Sequence, residues 1–180
     1  NILGSLSYSG PQTGLVWVVA VAASDSWSAV RSCVLTNAPW NYSLTDLPNL
    51  TNYWIKAWRD SNGDVATNYW EAQGLYPNSP IYLTGNAYGI DFSLNDPDTD
   101  SDSLPDWWEV RYFGSLDQNT AGDPDEDGVT NGTEYLASTC PAHHYAAVGG
   151  GNVYPYTTWA MAASNIQDAL DAATDAGETV

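Results

Sequence analysis

The strongest constraint on this chain is an oxygen-donor spacing that recurs three times. Asp98, Asp100, Asp102, Asp106 and Glu109 stand at positions 1, 3, 5, 9 and 12 of a twelve-residue window. Asp123, Asp125, Asp127, Asn131 and Glu134 repeat that register, and Asp60, Asn62, Asp64, Asn68 and Glu71 give it a third time. Oxygens at alternate positions, closed by an acid at position 12, wrap a short loop around one hard cation. The main-chain carbonyl at position 7 is a further ligand in such a loop. Those carbonyls belong to Leu104, Val129 and Ala66.

This is the spacing of an EF-hand-type loop, and the donor set selects the metal. Every side-chain donor is oxygen, and six or seven ligands per loop suit calcium better than magnesium. Zinc would call for Cys33, Cys140, His143 or His144, and the two histidines read as joint residues instead. The charge pattern agrees: 16 of the 22 acidic residues lie between Asp60 and Glu134, where Arg111 is the only base. Carboxylates packed that densely repel one another unless cations neutralise them. The windows differ at position 6, where a sharp turn favours glycine. Gly128 meets that demand, while Ser103 and Val65 depart from it. For the Asp60 window, a plain polar turn between two strands is the competing reading.

A net charge of −18 leaves no basic surface to neutralise phosphates, which excludes nucleic acid and argues against anionic membranes. So acidic a chain could be disordered, but 9 Trp and 12 Tyr predict a packed core. No apolar run is long enough for a membrane span, so no membrane insertion is expected. The chain opens at Asn1 rather than Met, as a processed or trimmed product would. Cys33 and Cys140 form a disulfide in an oxidising setting or remain thiols, and the sequence leaves both open.

The predicted fold class is mainly β: an antiparallel β-sandwich over 1–95, a calcium-loop segment over 96–140, then a linker and helix over 141–180. Strands are expected at Ile2–Tyr8, Leu15–Ala22, Ser32–Leu35, Tyr42–Leu47, Tyr53–Arg59, Ile81–Leu83 and Ile90–Leu94, with Gly, Pro and Asn between them. Alternation in Tyr53–Arg59 puts Tyr53, Ile55 and Ala57 on one face and Trp54, Lys56 and Trp58 on the other. Short helices are expected at Trp108–Phe113 and Glu134–Ala137. A longer one over Trp159–Ala173 would align Ala162, Ile166, Ala169, Leu170 and Ala173. Gly177 would end it, with a strand beginning at Thr179-Val180.

With these residues on the page, three resemblances can be stated. The segments ILGSLSYSG, YSLTDLPN and YWIKAWRDSNGD resemble the transthyretin-like or carboxypeptidase-regulatory-like sandwiches of secreted bacterial proteins. DPDTDSDSLPDWWE and DPDEDGVTNGTEYL resemble thrombospondin type 3-like and dockerin-like calcium repeats. PYTTWAMAASNIQDALDAA followed by GETV is similar to the opening of pectin-lyase-like parallel β-helix domains, in which such a helix caps the first coil. The coils that carry cleavage sites in that family have no counterpart here, so the resemblance implies no carbohydrate-cleaving activity.

The expected function is therefore a non-catalytic, calcium-stabilised structural module, extracellular or at the cell surface. It would assemble head to tail through an apolar stripe at Ile166 and Leu170 in its C-terminal segment. The alternative is a glycan-binding or spacer fragment of a larger β-helix carbohydrate-active protein, with Trp54 and Trp58 as a sugar platform. Sequons at Asn41, Asn49 and Asn131 permit glycosylation, although Asn131 is also a candidate metal ligand.

Overall fold

The computed structural model describes residues 1–154, 156–157 and 159–172. The chain divides into two compact units, Asn1–Pro97 and Asp98–Val180. The acidic segment and the tail thus fall within one unit.

The first unit is built from two sheets. One contains β1 (Ile2–Ser7), β4 (Trp40–Leu44) and β8 (Phe92–Ser93), in the order β4-β1-β8. The other runs β3-β2-β5-β6, from β2 (Leu15–Val21), β3 (Ala29–Leu35), β5 (Thr51–Asp60) and β6 (Gln73–Leu75). A further strand, β7 (Ile81–Leu83), pairs with the start of β5. The pairing is antiparallel except between β1 and β8, which run parallel with Leu6 opposite Phe92. That pair departs from the all-antiparallel expectation: β8 returns to β1 from a distant part of the chain, not through a hairpin. β6 carries no signal in the sequence, because Gln73-Gly74-Leu75 is too short to show a period.

β2 explains its own apolar run. It lies between β3 and β5 and buries both faces, as a central strand does. Val16, Val18 and Ala20 join Tyr53, Ile55 and Ala57 in one core with Ile2, Leu6, Tyr42, Leu44 and Phe92, so both sheets supply it. Each fully buried aliphatic side chain there contributes about 1.5–3 kcal/mol. Val19 and Val21 form a second cluster on the opposite face, closed by Trp58 with Trp17, Trp27 and Trp54 against it.

The second unit carries α1 (Asp106–Phe113), α2 (Asn131–Ala137) and α3 (Ile166–Ala172). α1 follows Pro105 and stops at Gly114, whose left-handed φ of 73° lets its N–H return to the Val110 carbonyl. Trp107 and Trp108 of α1 both contact the Tyr135 ring of α2, with centroids 6.5 and 5.9 Å apart.

The expected helix from Trp159 is corrected, since α3 starts at Ile166. Carbonyls of Ala160, Met161 and Ala162 accept hydrogen bonds from Gly151, Val153 and Asn152, which takes them out of a helical ladder. The start is set by Asn165, whose Oδ1 accepts from the Asp168 N–H at 2.9 Å. The apolar stripe accordingly splits: Ala162 and Ala169 are buried, while Ile166 and Leu170 are exposed. The expected Ala173, Gly177 and Thr179-Val180 features lie outside the described residues. No helix among the described residues is long and apolar enough to cross a membrane. Cys33 and Cys140 form no disulfide, and the Cys140 Sγ donates to the Ala142 carbonyl.

Candidate metal centres

The three acidic windows fold into loops with one backbone plan. In each, residues 4 and 6 adopt the left-handed conformation: Gly63 and Val65, Ser101 and Ser103, Glu126 and Gly128. The N–H at position 6 donates to Oδ2 of the aspartate at position 1. Val65 reaches Asp60 at 3.1 Å, Ser103 reaches Asp98 at 3.2 Å and Gly128 reaches Asp123 at 3.0 Å. The N–H at position 7 donates to Oδ1 at position 5. Ala66–Asp64, Leu104–Asp102 and Val129–Asp127 span 2.8, 2.8 and 2.7 Å. Sequence gave reason to doubt Val65 and Ser103 at position 6, yet both take the turn that Gly128 takes. The left-handed residue at position 4 had no consistent signal, being Gly, Ser and Glu in turn.

Turns of this kind bring side-chain oxygens to one point. Asp98, Asp100 and Asp102 each offer an oxygen within 4.8 Å of the others, and so do Asp123, Asp125 and Asp127. Each such pair of like charges repels by nearly ~1 kcal/mol even at the dielectric of water. Asp60, Asp64 and Glu71 form no three-carboxylate group of that tightness among the described residues.

Position 12 comes from the loop's far end: Glu109 from α1, Glu134 from α2, and Glu71 two residues before β6. All three glutamates are buried, at 0%, 1% and 0% exposure. Glu109 is the most exceptional, because neither carboxylate oxygen accepts a hydrogen bond of normal geometry. Its carboxyl is pushed up to about 7 by burial first, then by the negative charges of Asp100 and Asp102; the Gln118 backbone offsets only part of this. Burial also raises Asp125, with Asp127 adding to it. Glu71 is raised by burial against the opposing pull of the Ser61 and Asn68 amides.

Position 9 divides the loops. Asn131 donates through Nδ2 to the Asn119 carbonyl at 2.9 Å, leaving its buried Oδ1 without a hydrogen-bond partner. Asp106, at the matching position, accepts from the Thr99 N–H at 2.7 Å and from its Oγ at 2.5 Å, one bond to each carboxylate oxygen. Asn68 donates through Nδ2 to Asp64 at 3.1 Å.

Among the described residues, every buried side-chain oxygen that lacks a hydrogen-bond partner stands at a ligand position of one of these loops. Asp60 Oδ1, Asp102 Oδ2, both Glu109 oxygens, Asp123 Oδ1 and Asn131 Oδ1 are such atoms. Leaving a buried polar group unsatisfied costs about 1–3 kcal/mol, and more when it is charged. A hard divalent cation is the species whose binding removes that cost for oxygen donors, so the residues fit calcium.

The proposed sugar platform does not have two open rings. Trp58 is only 6% exposed. It stacks on Trp17 at 5.7 Å between centroids and meets Trp27 edge-on at 5.6 Å. Lys56 lies over the Trp27 ring and donates to the Ser24 and Ser26 carbonyls, holding that loop across the cluster. Comparison with protein-family models, curated proteins and solved structures finds no match.

Proposed function

We propose that this chain is a non-catalytic, calcium-stabilised structural module of the extracellular space or cell surface, a β-sandwich joined to an EF-hand-like calcium segment. The observation that carries this reading is the confinement of partnerless buried oxygens to ligand positions of the acidic loops. In the second unit one cation is held by Asp98, Asp100, Asp102, the Leu104 carbonyl, Asp106 and Glu109. The other is held by Asp123, Asp125, Asp127, the Val129 carbonyl, Asn131 and Glu134. Bound calcium supplies positive charge that offsets carboxylate repulsion. The chain's own contribution is to prefold the turns through the position-6 and position-7 N–H bonds, and to anchor each closing glutamate on a helix. In an extracellular setting, even sites with dissociation constants near ~10⁻⁴ to 10⁻³ M are filled.

Head-to-tail self-association through the C-terminal segment completes the proposal. It is supported by Ile166 at 79% exposure and Leu170 at 37%, two apolar residues a turn apart.

Thermal unfolding in calcium and in EGTA tests the calcium reading. Calcium should raise the melting temperature, and Glu109→Ala or Glu134→Ala should shrink that rise. A melt indifferent to EGTA would overturn it. Sedimentation of the chain beside Ile166→Asp tests assembly, with larger species expected only for the unaltered chain.

A further inference from the structure

The first unit carries its own buried acids, and nothing in the two loops of the second unit accounts for them. Asp60 ends β5 and Glu71 lies two residues before β6, so the connection between these strands begins and closes on carboxylates. They are 3% and 0% exposed. No basic residue occurs from Asp60 to Glu71. Arg59 is adjacent in sequence, but its guanidinium faces the rings of Tyr8 and Trp40, at 5.3 and 5.2 Å from their centroids. Nor do hydrogen bonds satisfy the whole set: Asp60 Oδ2 accepts from Val65, whereas Asp60 Oδ1 is buried with no partner.

A plain polar turn would explain the bonds within the loop. It would not explain a carboxylate whose one oxygen accepts from the loop amide of Val65 while the other is shut off from water and left without a donor. Burying a charge in that way is costly unless a counter-charge meets it. We propose that the β5–β6 connection is a third divalent-cation site, separate from the two in the second unit. Asp60 and Asp64 are its charged ligands, the Ala66 carbonyl a neutral one, and Glu71 closes the loop.

Glu71 is fixed for that role. Its Oε1 accepts from the Ser61 N–H at 2.7 Å and its Oε2 from the Asn68 N–H at 3.1 Å. Each oxygen keeps a lone pair for the metal while binding both ends of the loop together. Ser61 in turn donates through Oγ to Gln12 Oε1 at 2.7 Å, and Gln12 Nε2 donates to Asp96 Oδ1 at 2.8 Å. The Tyr8 hydroxyl donates to the same Asp96 oxygen at 2.7 Å. A cation here therefore stiffens a network that reaches the last residues of the first unit. With three carboxylates instead of the five of the Asp98 loop, the site should bind calcium more weakly.

The proposal does not rest on the sites of the second unit, and calcium stoichiometry separates the two. Equilibrium dialysis of the full chain against millimolar calcium should count three ions, falling to two in Asp64→Ala. Asp98→Ala/Asp123→Ala should retain one ion, lost when Asp64→Ala is added. Asp64 is exposed, so its loss does not threaten folding; near-ultraviolet circular dichroism of the tryptophan cluster checks this. Asp60→Asn, nearly isosteric, should also lower the count by one. Two ions in the unaltered chain and none in Asp98→Ala/Asp123→Ala would overturn the third site while leaving the other two intact. One ion in the unaltered chain, lost only in Asp64→Ala, would uphold it and sink the other two.

Discussion

The Val65 N–H donates to Asp60 Oδ2 at 3.1 Å, the same bond that Gly128 makes to Asp123 in a loop with a far stronger sequence signature. Val65 makes it at a φ of 62°, which a β-branched residue resists. The turn is therefore held by its surroundings: the loop's acids and amides outweigh the local preference of valine.

That balance makes Val65→Gly a stabilising change. Relief of the left-handed conformation recovers roughly 1–2 kcal/mol, against about 0.5–1 kcal/mol for the added freedom of glycine in the unfolded chain. Val65 is 58% exposed, so little packing is lost. The expected net gain is up to about 1.5 kcal/mol, or a rise of several degrees for a domain of this size. A lower melting temperature for Val65→Gly in urea-free buffer would show that the valine side chain is being used.

Glu109 yields a prediction with opposite signs in two buffers. Its carboxyl is raised from the ordinary 4.5 to about 7, so the fold favours its protonated form. In EGTA that contribution is fully present below about pH 4.5 and is lost as the pH rises through about 7. Asp125 and Glu71 are shifted in the same direction. The chelated protein should therefore melt lower at pH 8 than at pH 5.5. In saturating calcium the order should reverse, since protons compete with the metal for the same oxygens. Glu109→Gln should raise the melting temperature in EGTA at pH 8 and reduce the gain from calcium. Parallel pH slopes in the two buffers would refute the link between this carboxylate and the metal.

Trp58 tests whether the second face of the β2–β5 sheet is a binding surface or a core. Buried beneath Trp17 and Trp27, it should cost about 3–5 kcal/mol when cut to alanine, as other core aromatics do. Urea unfolding measures this directly. A loss below about 1 kcal/mol would return Trp58 to the candidates for ligand contact.

Much of this could be read from residues, and the exceptions have physical causes. Leu15–Val21 announced a two-sided central strand because neither face needs polar residues. Asp123–Glu134 announced its turn because aspartates at alternate positions around Gly128 supply acceptors for the loop's own amides. The Asp60 loop was harder to read, since backbone conformation at Gly63 and Val65 is imposed by hydrogen bonds that a sequence pattern does not display. The same holds for Asp106, whose bonds to the Thr99 N–H and Oγ no ligand spacing displays. The helix period extends N-terminally past the true start of α3 at Ile166, because alanines fit that period wherever they fall. The Asn165 cap was the better sign of its start.

Gly4 carries a last prediction, set by the approach of two backbones. A Cβ there would stand 2.0 Å from the Ile90 carbonyl oxygen and 2.5 Å from its carbon. That carbonyl is not free to move, because it accepts the Tyr42 hydroxyl at 2.6 Å while the Ile90 N–H donates to Leu3. Gly4→Ala must therefore separate β1 from the Ile90 segment, at an expected cost of about 1–3 kcal/mol or more. Gly89 is the control: at a φ of 68° with open space around it, alanine there meets only backbone strain of roughly 1–2 kcal/mol. Urea midpoints should fall further for Gly4→Ala than for Gly89→Ala, with calcium stoichiometry unchanged in both. The reverse ranking would mean that Gly4 was chosen for freedom of its own backbone and not for the closeness of its neighbour's.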